Sequence, residues 1–342
     1  MLKERISFYD NLKFLLIVFV VIGHFQYFIL NLRLASSFYT YIYMFHMPLF
    51  IFITGFLSKK LTDKDDHFRL EKVLNFILIY LLFKLAIYFI LNVVFKQNIE
   101  VSIVTERDTP WYLLALSLWL PMTFILKRIK VKYLLPVLFV ISILAGYDTE
   151  ISDVLCLSRV IVFYPYFLIG YYVSERQLDE FISKLHDKKN RIIFGAILVI
   201  VFLLTLLFPW IVCKLNSILT GQNPYIYTEL PQSIPFAGAL SRVSMYFIQI
   251  VMSLAVLSFI PRRKLFFTKY GERTMQVYVL HYLFILIFVN TKFHLSLMNF
   301  FGNFLPLVYS LLAIFLTFVL SNHFFKKIFD KISNISYQKF FE

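Results

Sequence analysis

The sequence is short of what marks a soluble, secreted or nucleic-acid-binding protein. Only 16% of its 342 residues are charged and 60% are hydrophobic, with a mean hydropathy of +0.75. A water-soluble core at this chain length cannot hide so much apolar surface, so the solvent is a bilayer. Two cysteines, Cys156 and Cys213, are too few for a disulfide framework. Both fall at the outer ends of helices in the topology below. A bridge or two free thiols would both fit there, and a buried free cysteine is the commoner state. Gly/Ser linkers, low-complexity tracts and internal repeats are missing, which argues for a single domain over 1–342 with no separate soluble part. No metal is expected, because no cluster of His, Cys and Asp has ligand spacing. Glu4, Asp10, Asp63, Asp65 and Asp66 read as solvated carboxylates.

What the chain has instead is apolar length. Ten apolar spans stand out, at about 13–31, 38–57, 73–95, 110–126, 131–147, 155–174, 192–212, 236–259, 275–291 and 304–325. The expected fold is an all-α integral membrane protein of about ten transmembrane helices. The first span has no small-residue cleavage site after it and runs straight into the second, so it is not a signal peptide. Forty-one Phe and 22 Tyr suit helix packing and interfacial belts.

Acids are the scarcer charge, 20 against 34 bases, for a net +14. That excess would suit nucleic acid, but its distribution does not. Alternate connections (58–72, 127–132, 175–191, 260–274 and the two termini) hold 26 of the Lys and Arg residues, and the other loops hold only five. Such asymmetry is an orientation signal and puts both termini in the cytoplasm. The basic loops also suit anionic lipid or an anionic cytosolic ligand. The loop over 213–235, with "NPYIYTELPQSIP", reads as an ordered cover or an acceptor-binding segment on the outer side.

Ionisable residues inside lipid are costly, so each is a functional candidate. His24 follows Lys13 by 11 residues. That is three helical turns plus about 20°, so both lie on one face about 16 Å apart. Asp10 precedes Lys13 by three residues, on the same face. One polar stripe therefore joins the cytosolic surface to a buried imidazole, unless Lys13 snorkels to lipid phosphate and His24 bonds a neighbouring helix. His46, at a similar depth on the antiparallel second span, would face the same cavity, with Pro48 loosening the helix there. A packed histidine bonded across helices fits His46 and His281 equally well. His67, His186, His294 and His323 read as solvated. Arg159 and Arg242 lie near outer span ends, where a guanidinium can snorkel, clamp an anion or pair with the acids that collect on the outer side, Glu100, Glu106, Asp108, Asp148, Glu150, Asp153 and Glu229. Lys84 lies deeper and needs a partner, but no acid in the neighbouring spans is an obvious mate. Trp111, Tyr112 and Trp119 read first as an aromatic belt with packing, and more sharply as a sugar platform.

Together these pieces resemble membrane acyltransferase family three. The resemblance rests on Asp10, Lys13 and His24 in the first helix, then "MFHMPLFIFITGFLSKK", "TPWYLLALSLW", "RVIVFYPYFLIGYYV" and "YGERTMQVYVLHYLFI", in order over most of the chain. Many members carry Arg at the position of Lys13, and lysine cannot make a bidentate phosphate contact. The nearest branch is similar to the fucose 4-O-acetylase-like and capsular polysaccharide O-acetyltransferases, in a form with no fused extracellular domain.

The resemblance implies a bacterial plasma-membrane enzyme. It would move an acyl group, by default acetyl, from cytosolic acyl-CoA to a sugar hydroxyl of a surface glycan or lipid-linked precursor, alongside other glycan-assembly proteins. Lys13, Lys59, Lys60, Arg69 and Lys72 would hold the CoA phosphates. His24 would act as general base or as acyl carrier. Burial favours the neutral imidazole that either role needs. Arg159 and His46 would stabilise the oxyanion, and Trp111, Tyr112, Arg242 and His281 would meet the acceptor. The competing readings are a flippase of lipid-linked glycan and a scaffold with a degenerate site. Against the flippase stand the missing repeats and a count of only nine glycines.

Overall fold

Apolar runs in lipid fold as helices because each backbone N–H and C=O must be satisfied within its own segment. The computed structural model describes residues 2–59, 68–100, 102–228, 234 and 236–333, and over these the chain is helical with one isolated β-bridge, Thr105 to Val154. The helices are α1 (Leu2–Tyr27), α2 (Arg33–Tyr43), α3 (His46–Leu57), α4 (Leu70–Tyr88), α5 (Trp111–Leu126), α6 (Val131–Leu144), α7 (Leu157–Tyr172) and α8 (Glu175–Leu185). They continue as α9 (Lys188–Leu207), α10 (Pro209–Leu219), α11 (Ala237–Leu257), α12 (Thr274–Val289), α13 (Lys292–Phe301), α14 (Leu305–Leu320) and α15 (His323–Ser333).

All ten expected spans correspond to helices. Among the described residues, seven segments are long and apolar enough to cross a membrane: Ser7–Tyr27, Arg33–Leu57, Leu70–Val94, Lys188–Leu207, Ala237–Leu257, Thr268–Val289 and Lys292–Leu320. The other three are shorter: α5 and α7 have 16 residues each and α6 has 14. At about 1.5 Å per residue they reach only about 21–24 Å. Two of them are sheathed by protein. Most of α5 and α7 is buried, including Trp119, Phe163 and Phe167. A helix whose neighbours are helices need not match the thickness of the lipid. At the other extreme, α9 buries only Thr205 among its described side chains and turns Ile192, Val199, Ile200 and Leu203 outward. The seventh span also stops earlier than expected. It ends at Leu207, and α10 then packs across α2. Arg33 and Ser37 of α2 donate to the Leu206 and Thr205 carbonyls, capping the end of α9.

The second span is broken where Pro48 demands it. Proline has no N–H to offer the carbonyl four residues back, and its ring crowds that carbonyl. That residue is Met44, and the helix is interrupted at Met44–Phe45. The Ile42 carbonyl at the break accepts from the Phe45 N–H and is 2.8 Å from His46 Nδ1.

Helix direction alternates so that the Lys/Arg-rich connections lie at one end of the bundle, here the basic end. From the opposite end α3 and α7 run parallel and touch backbone to backbone. A Cβ added at Gly55 would lie 2.0 Å from the Phe167 carbonyl oxygen, and one at Gly170 would lie 2.0 Å from that of Phe52. Only glycine at both positions allows this approach.

Gly170→Ala should therefore lower stability by about 1–3 kcal/mol through overpacking. Gly195→Ala, whose methyl meets only the tip of the Phe259 ring at 3.2 Å, should change it by less than about 0.5 kcal/mol. Thermal unfolding of the purified variants in one detergent reads this directly. Equal midpoints for the two would mean that the α3–α7 approach is not tight.

Candidate active site

Four helices deliver polar groups to one place. His24 lies in the last turn of α1, and α1 packs along α12. There the Nδ1 of His24 is 2.7 Å from the Nε2 of His281. The far nitrogen of His281 is 2.8 Å from the Val277 carbonyl, one turn back on α12. His46 opens α3 just after the break, with the Tyr43 ring edge-on at 4.5 Å. Arg159 lies in the first turn of α7. His24, His46 and Arg159 line a cavity of about 140 Å³ at the end opposite the basic loops, with Trp111, Asp108 and Tyr278. Tyr27, Tyr39, Tyr43, Tyr282 and Gln222 complete much of its wall.

The cavity is roofed by two loops stitched together. The Glu106 N–H donates to the Asp153 carbonyl and the Leu155 N–H to that of Val104. Arg107 and Gln222 both reach the Asp153 carboxylate. Glu106 is fully buried. Its carboxylate pairs with Lys84 at 3.0 Å and accepts from the Asp108 N–H. Burial pushes the Glu106 carboxyl up, and the Lys84 ammonium pulls it back towards its ordinary range. Arg159, 5% exposed, donates to the backbone carbonyl of Glu106 and lies over the Trp111 ring at 5.0 Å. Its Nε is buried with no hydrogen-bond partner among the described residues. The Glu106 carboxylate is committed to Lys84, and among the described residues no carboxylate is in salt-bridge contact with this guanidinium, which shares the cavity wall with Asp108. Such a buried cation can stabilise negative charge that develops beside it.

A second cavity, about 450 Å³, opens at the basic end between α3, α4, α12 and α15. Lys72, Arg273 and Lys326 line it, with Glu272, Asp330, Asn75 and Gln276. Asn75 Oδ1 and Arg273 Nε are buried there without a partner among the described residues. These are free polar positions suited to amide and phosphate groups. Between the two cavities stands an aromatic septum. Phe83 is one turn along α4 from Ile79, and Tyr278 is two residues on from Gln276. Tyr112 packs on Tyr278 at 5.5 Å and bonds Thr54 at 2.6 Å.

Not every expected site residue reaches a cavity. Lys13 pairs with Asp10 at 2.9 Å. Asp10 is buried rather than solvated, because Gly271 packs directly on its backbone. That contact sets the pair beside the Glu272–Arg273 wall of the larger cavity. Of the expected CoA-holding residues, Lys72 lines that cavity. Lys59 is turned to the Val173 carbonyl and the Phe56 ring, Arg69 is exposed, and Lys60 lies outside the described residues. Arg273 and Lys326 were not singled out, although Arg273 sits in the block "YGERTM".

At the opposite end the aromatic belt is corrected. Tyr112 and Trp119 are buried in protein, Trp119 donating to the Val160 carbonyl, and only Trp111 faces the cavity. Arg242 is buried against Tyr225 and Met245, away from His24 and His46. His281 meets His24 rather than open space. His294 is buried on Tyr309, not solvated. His186 lies near the Leu257 carbonyl, where burial lowers its pKa, and His67 lies outside the described residues. Lys84 has a mate after all, from a loop rather than a span. Within the segment 213–235, Tyr225 is buried and donates to the Ile143 carbonyl, an ordered contact as expected, while 229–233 and 235 lie outside the described residues. Cys156 is free and buried; the Cys213 side chain lies outside the described residues. Among the described residues no group of His, Cys, Asp and Glu has metal-binding geometry.

The family model for the acyltransferase domain, family 3, matches residues 6–325. No curated protein and no solved structure matches the chain.

The buried Lys84–Glu106 pair gives a direct test of how the roof is held. Glu106→Leu should strand the ammonium and cost about 3–5 kcal/mol of stability. Lys84→Met combined with Glu106→Leu should recover most of that loss. A double-mutant cycle read by thermal unfolding separates the cases. Strictly additive losses would mean that the two charges do not interact.

Proposed function

The chain belongs to acyltransferase family 3 and is a multi-pass membrane protein that transfers acyl groups. From that premise we propose an O-acyltransferase of a bacterial plasma membrane, with both termini in the cytoplasm. It takes an acyl group, by default acetyl, from cytosolic acyl-CoA and places it on a sugar hydroxyl of a surface or lipid-linked polysaccharide. The observation that carries this reading is the position of His24. It faces the smaller cavity from the end of α1, and a basic cavity opens at the other end of the same bundle.

The donor binds from the basic end. Lys72, Arg273 and Lys326 hold its phosphates, and Asn75 accepts from an amide of the pantetheine arm. Lys13, about 16 Å below His24 along α1, sits beside that path at a distance comparable with an extended pantetheine arm. The arm passes the septum at Tyr112 and Tyr278, which must shift to admit it, and presents the thioester near His24. The acceptor sugar enters from the roofed end and lies against Trp111.

His24 takes the proton of the acceptor hydroxyl, and the oxygen attacks the thioester carbonyl. The tetrahedral oxyanion forms beside Arg159, whose fixed charge stabilises it without reorganisation. The intermediate expels the CoA thiolate, which receives the proton from His24, so the ester and free CoA-SH leave with no net proton released. The covalent variant, in which His24 first carries the acyl group, uses the same residues.

Mass analysis of the surface glycan from cells with the intact protein, with none, and with His24→Ala tests the reading. The intact strain should show an added acyl mass, labile to mild base, that both others lack. Equal acylation in all three, with less glycan displayed when the protein is absent, would make the protein a glycan flippase instead. In purified enzyme Arg159→Ala should lower turnover by about 10²–10³-fold. Full turnover in that variant would remove Arg159 from oxyanion stabilisation.

A further inference from the structure

We infer that His281 is the positioning partner of His24: it fixes the tautomer of His24 so that Nε2 is the reactive nitrogen. The bonding pattern leaves one solution. A carbonyl oxygen can only accept, so the His281 nitrogen facing the Val277 carbonyl, Nδ1, must carry the proton. In the neutral ring the other nitrogen, Nε2, is then a bare acceptor. That acceptor is 2.7 Å from Nδ1 of His24, so His24 must carry its proton on Nδ1 and donate it. Nε2 of His24 is left with a free lone pair.

The ring geometry agrees. The two imidazoles are nearly coplanar, 12° apart, with centroids at 5.0 Å. With the nitrogens at 2.7 Å, such rings meet edge to edge in one plane, as an N–H···N bond requires, and not face to face. The groups around the pair hold it without competing for either inner nitrogen. Tyr282 meets His24 edge-on at 5.8 Å and sends its hydroxyl towards Asp108. Tyr278 donates its hydroxyl to the Thr109 carbonyl. His46 spends its own Nδ1 on Ile42.

The assignment gives His281 work beyond packing. A free imidazole on α1 would exchange between tautomers and rotate about its ring bond, presenting the wrong nitrogen part of the time. Anchored through α12, it presents Nε2 continuously. When His24 gains a proton at Nε2, its Nδ1–H bond to His281 strengthens because the donor is now charged. His281 therefore supports the protonated form most at the moment it exists. The kinetic consequence rests on His24 being the base proposed above; the tautomer does not.

The test has two arms. The first is ¹⁵N spectroscopy of histidine-labelled full-length protein in lipid bilayers, with the His24 signals assigned by their loss in His24→Ala. The expected result is a protonated Nδ1 and a bare Nε2 on His24, turning into a mixture or the opposite tautomer in His281→Ala. A protonated Nε2 on His24 in the unmodified protein overturns the inference, whether or not any variant folds. The second arm is kinetic, with acetyl-CoA. His281→Ala should lower kcat by about 10²–10⁴-fold with KM for acetyl-CoA unchanged. His281→Gln, whose amide oxygen accepts from the same direction, should recover at least about tenfold of that. An unchanged kcat in His281→Ala, or a loss confined to KM, overturns the positioning role. Absence of acetyl transfer by the unmodified enzyme would instead defeat the functional reading, and the spectroscopic arm would still decide the tautomer.

Discussion

The site depends on a contact that contains none of its residues, the backbone approach of Gly55 and Gly170. Because α3 and α7 run parallel, fixing one point of contact fixes the relative height of everything else on them. His46 stands nine residues before Gly55 and Arg159 eleven before Gly170. At about 1.5 Å per residue these are about 14 and 16 Å from the contact, nearly the same depth. The glycines thus act as a register mark that brings an imidazole and a guanidinium to one level. Without water to drive association, helices in lipid rely on such close packing of small residues. The Pro48 break serves the same end. At that break the Ile42 carbonyl, which accepts from the Phe45 N–H, also meets His46 Nδ1 and so holds the ring with its other nitrogen left for the cavity.

Electrostatics explains why the roof is part of the membrane domain and not an appendage. An isolated ammonium at Lys84 would be costly in lipid. The chain resolves this by sinking Glu106 from a loop until the pair closes at 3.0 Å. The loop backbone then follows, and the Glu106 carbonyl becomes the acceptor for Arg159. One buried carboxylate therefore neutralises one cation and, through its backbone, positions another. What remains in the cavity wall is a fixed guanidinium, Arg159, beside Asp108 and Arg107, in surroundings where charge is poorly screened. A fixed cation there can stabilise negative charge that develops next to it.

The sequence made some of this legible and hid the rest, for physical reasons. Helical spans announce themselves because lipid demands apolar length, and all ten expected segments are helices. Their lengths were less legible, since α5 and α7 answer to protein neighbours rather than to lipid. The stripe of Asp10, Lys13 and His24 follows from helical period alone and is present on one unbroken helix. Helical period gives a face, however, and not what that face meets. His281 lies 257 residues from His24, and nothing in either local pattern says that they touch. Glu106 stayed hidden because loops have no period. The only clue was the unmet need of Lys84, with "ERD" in the next outer loop. The basic residues were counted correctly but could not be apportioned. Whether a lysine near the basic end faces a cavity, as Lys72 in the first turn of α4 does, or a carbonyl, as Lys59 just after α3 does, depends on where its helix starts or stops and how the loop leaves it. Aromatic residues of a span are likewise ambiguous: α7 makes Trp119 core, and α3 and α12 do the same for Tyr112.

The two cavities differ in a way that fits the division of labour proposed for them. The larger one is lined by charges of both signs and by two buried atoms, Asn75 Oδ1 and Arg273 Nε, that have no partner among the described residues, and it lies where a polyanion would arrive from the basic end. The smaller one is lined mostly by aromatic and imidazole rings, with Arg159, Arg107 and Asp108 as its charged groups. A septum of Phe83, Tyr112 and Tyr278 lies between. A charged nucleotide would not pass such a barrier, whereas a thin, uncharged arm would need only a rotation of Tyr112 away from Thr54. In the proposed reaction the centre would receive neutral partners, a thioester and a hydroxyl, beside the Arg159 guanidinium and a bare imidazole nitrogen. Charge would separate there only as the tetrahedral species forms, with the new anion beside Arg159 and the new cation on His24, backed by His281. Both charges would vanish together when the thiolate leaves and takes the proton. In lipid-like surroundings that sequence is favoured over one in which a charged reactant must first be desolvated. It gives a physical reason for the histidine to lie inside the membrane rather than at either surface.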